Sequence, residues 1–194
     1  AYNVGLGLDF ISANNWIVGV ESFFMFGTLL KEDPLSIIRL PDGSIIGKNM
    51  LLAETYLRER GLYTGLRIGR LFAPERRRSG LRVTLGGGTL RHWIRVQDDS
   101  QSVAQITGDY KKGYDRLTGG MAFNQFIGWQ HLAKNRRTNW IIGFEFNQAF
   151  TNTLRDWDFS LQRKLDERRT DLQFGFRAAW TLPLYLVKPE TIYY

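Results

Sequence analysis

Hydrophobic and polar residues alternate along seven stretches of this chain. In the first stretch, AYNVGLGLDF, every second residue from Tyr2 to Phe10 is bulky and apolar, and the residues between them are small or polar. A period of two is typical of a β-strand with two different faces. The alternation predicts strands over 2–12, 16–27, 58–71, 81–95, 117–131, 140–150 and 171–182. Each predicted strand is about as long as one that crosses a bilayer at a tilt.

The connections between these strands are short and long in turn. The short ones are 13–15, 73–80 and 133–139, and the long ones are 28–57, 96–116 and 151–170. This layout is typical of an up-and-down antiparallel meander whose two ends face different compartments. Within the first long connection, two apolar runs flank Asp42 and Gly43, and this pattern predicts a hairpin there.

The small and polar faces of the strands are rich in glycine, which indicates the direction in which they point. Glycine weakens a strand and gives water nothing to contact, whereas the crowded interior of a narrow barrel favours small residues. The opposite faces carry bulk such as Phe24, Phe144 and Trp180, which does not fit inside about eight strands but suits contact with lipid. The predicted fold is an all-β, antiparallel, up-and-down transmembrane β-barrel with the glycine face inside.

Two sets of residues follow from this assignment of faces. The first set is an aromatic girdle at the rim of the short turns, formed by Trp16, Phe72, Trp129 and Trp140. Tryptophan at strand ends is common in other β-proteins too. The interior is predicted to hold three acids and three bases, namely Asp9, Glu21, Glu145, Arg67, Arg82 and Arg177. Glu21, Arg67, Glu145 and Arg177 each lie five residues from the strand end at the nearest short turn, so they share one level. Glu21 is therefore predicted to pair with Arg67 and Glu145 with Arg177, in a layer that blocks the lumen.

Length, composition and charge narrow the classes of function. The 194 residues fit a single domain, 1–194, and the absence of cysteine excludes disulfides and thiolate metal sites. No metal or cofactor motif occurs, and no run of about 18 apolar residues predicts a spanning helix. The net charge of +7 comes largely from connections at 74–80, 134–137 and 162–169. Solvated turns explain these residues more simply than a specific anion site, so no nucleic-acid partner is expected.

The stretch GDYKKGYDRL in the second long connection mixes tyrosine with basic residues. The candidate binding residues are Tyr110, Lys111, Lys112, Tyr114 and Arg116. Amphipathic tyrosines beside basic groups suit contact with lipopolysaccharide phosphates or with a protein partner. The other interpretation is that the tyrosines hold the loop on the barrel rim while the lysines stay in water.

Three stretches resemble known outer-membrane proteins. The chain looks like a small outer-membrane β-barrel of the type of the OmpA membrane domain or OmpX. More narrowly, ERGLYTGLRIGRLF (59–72), GDYKKGYDRLTGG (108–120) and WTLPLYLVKPETIYY (180–194) resemble a family of barrels in Bacteroidota outer membranes. The resemblance implies the fold and a location in the bacterial outer membrane, in contact with the lipid bilayer, and it supplies no catalytic residues.

Two histidines are the candidates for catalysis, because some eight-stranded barrels acylate lipid A with His, Asp and Ser at the outer rim. His131 ends a strand at the short-turn rim, and His92 lies near the long-loop rim, with Asp98, Asp99 and Ser100 following it. The spacing matches no nucleophile elbow, zincin or metal-ligand pattern. A solvated rim histidine is the simpler interpretation of His92, and no catalytic residue is predicted.

The expected function is a non-enzymatic structural or accessory subunit that binds another outer-membrane protein, or lipopolysaccharide, through its long loops. A lipid A-modifying enzyme is the alternative, and a narrow pore is a third. The number of strands carries a further expectation, because single-chain bacterial barrels normally have an even number. We expect the natural chain to extend upstream of Ala1 by at least one outward-running strand of about ten residues. That strand would complete eight strands by bridging 2–12 and 171–182.

Overall fold

A computed structural model describes residues 1–28, 30, 33–74, 79–98, 100–133, 139–165 and 168–184. Its strands are β1 (Tyr2–Ile11), β2 (Trp16–Gly27), β3 (Ile45–Ile46), β4 (Leu52–Ala53), β5 (Tyr56–Phe72), β6 (Gly80–Gln97), β7 (Thr118–His131), β8 (Trp140–Thr153) and β9 (Arg168–Trp180). Short 3-10 helices lie at Ser36–Ile38, Ala104–Ile106 and Gly108–Gly113. Among the described residues, no helix has the length and apolar character needed to cross a membrane. Most basic residues of the short turns, Asp99 and the C-terminal stretch from 185 lie outside the described residues.

Seven strands form one antiparallel sheet in the order β1, β2, β5, β6, β7, β8, β9. Each strand pairs with the next sheet strand along the chain, so the predicted all-β class and antiparallel meander are confirmed. The outermost strands, β1 and β9, have one neighbour each, and within the described residues no backbone ladder joins them. We call the space between these two strands the seam.

Four of the seven sheet strands extend further toward the long connections than the alternation predicts. β5 begins at Tyr56 and β6 continues to Gln97, so that Arg58 lies opposite Arg95 in the ladder. Ladder hydrogen bonds join backbone groups and do not depend on the side chains. Hydrophobic periodicity therefore finds the middle of each strand, but it underestimates the length of β5, β6, β8 and β9 on the side of the long connections.

The hairpin in the first long connection lies later in the chain than predicted. Asp42 and Gly43 sit in a tight turn, where the Leu40 N–H donates to the Ser44 carbonyl at 2.8 Å, and the preceding apolar run forms a 3-10 helix instead of a strand. The short hairpin is β3 with β4, joined through residues 47–51. The prediction of a hairpin around Asp42 and Gly43 is therefore wrong.

The seven-stranded sheet curls strongly on itself. Arg82 in β6 contacts Asp9 in β1 at 2.6 Å, although β2 and β5 lie between these strands. In a flat sheet, strands three places apart are separated by roughly 14 Å. The face inside the curl, which we call the inner face, carries the buried ion pairs and most of the strand glycines. The outer face carries the apolar bulk.

The inner face also holds a hydrophobic layer. The sequence did not predict this layer, because the large apolar side chains were all assigned to the outer face. The buried residues of the layer are Phe23, Met25, Tyr63, Leu90, Ala122 and Ala149. The rings of Phe23 and Tyr63 stack with their centroids 4.7 Å apart. Gly65 makes room for this stack, because a Cβ there would lie 2.7 Å from the Gly87 carbonyl oxygen and even closer to the Tyr63 hydroxyl.

Candidate functional site

Six charged side chains on the inner face form one network, which we call the inner charged layer: Asp9, Glu21, Arg67, Arg82, Glu145 and Arg177. Arg67 holds Asp9 through two hydrogen bonds, from Nε at 2.7 Å and from Nη2 at 2.9 Å. The third nitrogen of Arg67, Nη1, donates to Glu21 at 2.5 Å. Arg82 Nη2 donates to Asp9 Oδ2 at 2.6 Å, the oxygen that also accepts from Arg67 Nη2. Strands β1, β2, β5 and β6 are thus joined at one level.

The second half of the layer comes from β8 and β9. Arg177 contacts both oxygens of Glu145, at 2.5 Å and 2.8 Å, and its Nη1 reaches Glu21 at 3.1 Å. Glu21 therefore links the two halves of the layer. The two pairs predicted from the sequence, Glu21 with Arg67 and Glu145 with Arg177, are both present.

Three amide side chains complete the layer and were missed by the sequence analysis. Arg82 donates to Gln130 at 2.9 Å, and the Asn124 amide donates to Glu145 and to Asn147, both at 2.6 Å. All three amides are at most 8% exposed. Their positions could have identified them from the sequence. The same alternation that puts Glu145 on the inner face also puts each of these three amides there. Only charged residues were considered for that face.

Balanced charge and low exposure define what the layer can do. Each of its six charged side chains is at most 20% exposed, and three acids meet three bases. Such a layer has no net charge with which to attract an ion. Removing one partner leaves a buried charge uncompensated, which typically costs about 3 to 5 kcal/mol. The geometry therefore fits a structural role, in which the layer links strands of the curled sheet across its inner face.

A cavity of about 400 Å³ lies beside the inner charged layer and is lined by both edges of the sheet. Asn3 of β1 and Gln173 of β9 face each other there, with 3.5 Å between Oδ1 and Nε2. Gly7 leaves room for the Arg67 guanidinium, because a Cβ at this position would lie 2.7 Å from Nη2. The small residues of β1 thus allow the charged layer to form close to the seam.

The three long connections fold together into a small second core, which we call the loop cap. Its buried residues are Leu35, Ile45, Val96, Val103, Ile106 and Tyr114, with Ile38, Ala53, Leu57 and Phe159 packed against them. Ion pairs join the second connection to the third: Arg116 Nε lies 3.1 Å from Asp158, and Arg155 pairs with Asp115. The long connections are therefore ordered against each other as one unit.

The carboxylate of Asp98 organises the start of the second long connection. It accepts hydrogen bonds from the Val103 N–H at 2.9 Å and from the hydroxyls of Ser100 and Ser102. Burial alone raises the pKa of Asp98, but these hydrogen bonds outweigh it, so the pKa lies below its ordinary value. The ionised carboxylate therefore stabilises the cap above that ordinary pKa, and this stabilisation is lost as the pH falls through the lowered value.

The five candidate loop residues divide into two groups. The first group lies at the surface: Tyr110 and Lys112 are exposed, and Lys111 is partly exposed. Lys112 forms a solvent-exposed ion pair with Asp109 at 2.8 Å. Tyr114 is buried, with its ring edge-on to Phe159 at 5.5 Å, and burial raises its pKa, with the nearby Asp158 carboxylate adding to the effect. Arg116 joins two loops. Tyr114 and Arg116 therefore hold the cap together and present no free group to a partner.

The aromatic candidates and His131 lie on the outer face of the sheet, and His92 lies on the inner face. Trp16, Phe72, Trp129 and Trp140 are all exposed on the outer face at the end of the short turns. His131 stacks on Trp140, with the ring centroids 5.3 Å apart. His92 lies on the inner face, where its Nε2 is 2.8 Å from Glu59. His92 is therefore paired with a carboxylate of β5.

Comparisons with family models, curated proteins and solved structures gave no match for this chain. The class that the fold defines is an all-β chain built on a curled, seven-stranded antiparallel meander. Within the described ranges, no group of three or more His, Asp or Glu side chains is arranged to hold a metal ion.

Proposed function

We propose that this chain forms a β-barrel in a bacterial outer membrane and acts there as a structural or accessory subunit. The observation that carries the proposal is the exposed apolar outer face, which continues across all seven strands of the sheet. Leu66, Phe144 and Phe174 are 67%, 68% and 85% exposed, while the buried ion pairs lie on the inner face. Water-soluble monomers rarely expose apolar patches beyond a few hundred Å², whereas lipid contact favours this arrangement.

The height of the apolar band supports the same location. On β5 Leu62 lies ten positions before Phe72, and on β6 Arg91 lies ten positions after Leu81. At about 3.3 Å per residue and a tilt of about 40°, ten residues rise roughly 25 Å, which is the height of the apolar band of an outer-membrane barrel.

The loop cap is the part of the chain that we propose binds a partner, either another outer-membrane protein or lipopolysaccharide. The outer face is mostly apolar and the inner face carries a charge-balanced layer, whereas Tyr110, Lys111 and Lys112 project from a cap ordered by its own core. Binding groups commonly lie on loops that a rigid scaffold positions. An ordered cap lowers the entropy lost when a partner binds.

A variant that changes only the projecting residues tests this role. Replacing Tyr110, Lys111 and Lys112 with alanine removes an exposed aromatic ring and two charges but leaves the buried Tyr114 in place, so the barrel and the cap should both fold. We expect outer-membrane proteins that co-purify with the native chain to be reduced at least about tenfold.

The matched control keeps the chemistry of the same three positions, as Tyr110→Phe with Lys111→Arg and Lys112→Arg. This control should retain most of the co-purifying material. Unchanged co-purification with the alanine variant would refute the proposed role of the loop.

Closure of the sheet is the second part of the proposal. β1 and β9 both run toward the short turns, so an antiparallel strand placed between them would pair with both and give the usual even number. The contact between Asn3 and Gln173 places these two residues at similar heights. Three positions further along each strand, Leu6 and Phe176 therefore lie at similar heights on the outer face. With one strand between them, their Cα atoms are roughly 10 Å apart.

Engineered cysteines test this spacing cleanly, because the chain contains no cysteine. Leu6→Cys with Phe176→Cys should form no disulfide on oxidation, since a disulfide needs Cα atoms within about 7 Å. Leu8→Cys with Val20→Cys, which are directly paired across β1 and β2, is the positive control. Equally fast cross-linking of both pairs would mean that β1 and β9 pair directly and that no further strand separates them.

A lipid A-modifying enzyme is the second candidate, and the contact between His92 and Glu59 is the observation that favours it, because a carboxylate orients and activates an imidazole. His92→Ala separates the two functions. Lipid A mass spectra that depend on His92 would support the enzyme, and unchanged spectra would support the accessory subunit.

A further inference from the structure

Four arginines gather on the outer face where β5 and β6 leave the apolar band. Arg58, Arg60, Arg91 and Arg95 all point outward by the alternation of these strands, and we call them the outer basic cluster. In the ladder, Arg58 lies opposite Arg95, Arg60 opposite Trp93, and Arg91 opposite Leu62. Directly opposed residues have Cβ atoms about 5 Å apart, so four positive charges share a small area.

Stability of the sheet does not explain this cluster. Like charges directly opposite each other on one face are destabilising. Within the described part of the chain, Arg58, Arg91 and Arg95 make no ion pair, and Arg60 donates only to the carbonyl of Glu59. The Glu59 carboxylate points to the inner face, where it holds His92. The arginines are therefore free to bind an external anion.

The cluster lies at the upper boundary of the apolar band. Arg91 is ten residues along β6 from Leu81, which places it about 25 Å above the aromatic girdle. Trp93 lies among the arginines, and its ring packs edge-on against Phe24 of β2 at 6.2 Å. Tryptophan favours the boundary between hydrocarbon and head groups, and Leu62 and Leu66 provide apolar wall directly below.

We propose that the outer basic cluster binds the phosphate groups of a phosphorylated glycolipid, with its acyl chains lying along the apolar wall beneath. The planar guanidinium group binds phosphate oxygens through two parallel hydrogen bonds. A phosphorylated lipid satisfies both halves of this surface, because it brings an anion to the arginines and hydrocarbon to the leucines. The inference rests on the proposed membrane location, and it places a lipid site on the barrel wall, separate from the loop cap.

The full chain, folded in detergent micelles, is titrated with bis-phosphorylated lipid A, and bound lipid is counted by native mass spectrometry. We expect one lipid A to bind tightly. Replacing all four arginines with glutamine should weaken lipid A binding at least about a hundredfold. Lipid A without its phosphates should bind the native chain as weakly as intact lipid A binds the glutamine variant. Replacing all four with lysine keeps the charge but loses the two-point contact, so binding should be intermediate.

Arg70→Gln is the matched control, because Arg70 lies on the same face of β5 at the opposite rim, over Trp16 and Phe72. It should leave lipid A binding unchanged. Equal binding by the native chain and the glutamine variant would overturn the proposal. Displacement of the lipid by millimolar inorganic phosphate would also overturn it, since the site would then be one for a free anion.

Insertion into vesicles of phosphatidylcholine alone separates the two ways of failing. If the native chain and the glutamine variant both insert and bind lipid A equally, only the lipid site is overturned. Failure of the native chain to insert would overturn the proposed membrane location and the lipid site with it.

Discussion

Replacing Arg67 with methionine is expected to lower the free energy of unfolding by about 3 to 5 kcal/mol. Arg67 contacts Asp9 and Glu21 together, and its side chain is only 10% exposed. Its removal leaves three buried acids facing two bases, Arg82 and Arg177, so one negative charge loses its compensation. Urea unfolding of the chain inserted into phosphatidylcholine vesicles, followed by tryptophan fluorescence, measures the loss.

Two further variants identify the cause of this destabilisation. Arg70→Met changes an outward arginine on the same strand and should cost less than about 1 kcal/mol. Adding Glu21→Gln to Arg67→Met restores the balance to two acids and two bases, so the double variant should be more stable than Arg67→Met alone. A cost for Arg67→Met no larger than that for Arg70→Met would mean that the inner charged layer does not stabilise the fold.

The strands and the inner charged layer were predictable because both follow from one periodicity. Alternation places Asp9, Glu21 and Arg67 on the same face, and counting residues from the short turns gives their heights. Neither step needs knowledge of contacts distant in sequence. The same counting would have found Asn124 and Gln130, had amides been considered together with charges.

The loop cap was not predictable in this way because its contacts join segments far apart in the chain. Tyr114 is buried by Phe159, and Arg116 pairs with Asp158, which lies 42 residues further on. Both residues carry the polar groups expected of a binding loop, and packing among the long connections removes them from the surface. The hydrophobic layer around Tyr63 was missed for a related reason. Glycines make space for neighbouring rings, so a glycine-rich face can also carry bulk.

A charge introduced in the middle of the outer face tests whether that face contacts lipid. Leu66 is 67% exposed and lies near the centre of the apolar band on β5. Leu66→Arg should lower the free energy of unfolding from phosphatidylcholine vesicles by about 2 to 4 kcal/mol, the cost of an arginine at the bilayer midplane. In water, an exposed leucine changed to arginine alters stability by only about 0.5 kcal/mol.

The dependence on depth makes this prediction specific to a membrane. Leu81 lies on the same outer face at the girdle, opposite Phe72 and Trp129, and arginine near the interface costs only about 0 to 1 kcal/mol. Leu66→Arg should therefore be more destabilising than Leu81→Arg, although both replace an exposed leucine on the same sheet. Equal and small effects of the two variants would mean that the outer face lies in water. The apolar band would then have to be covered by protein instead of lipid.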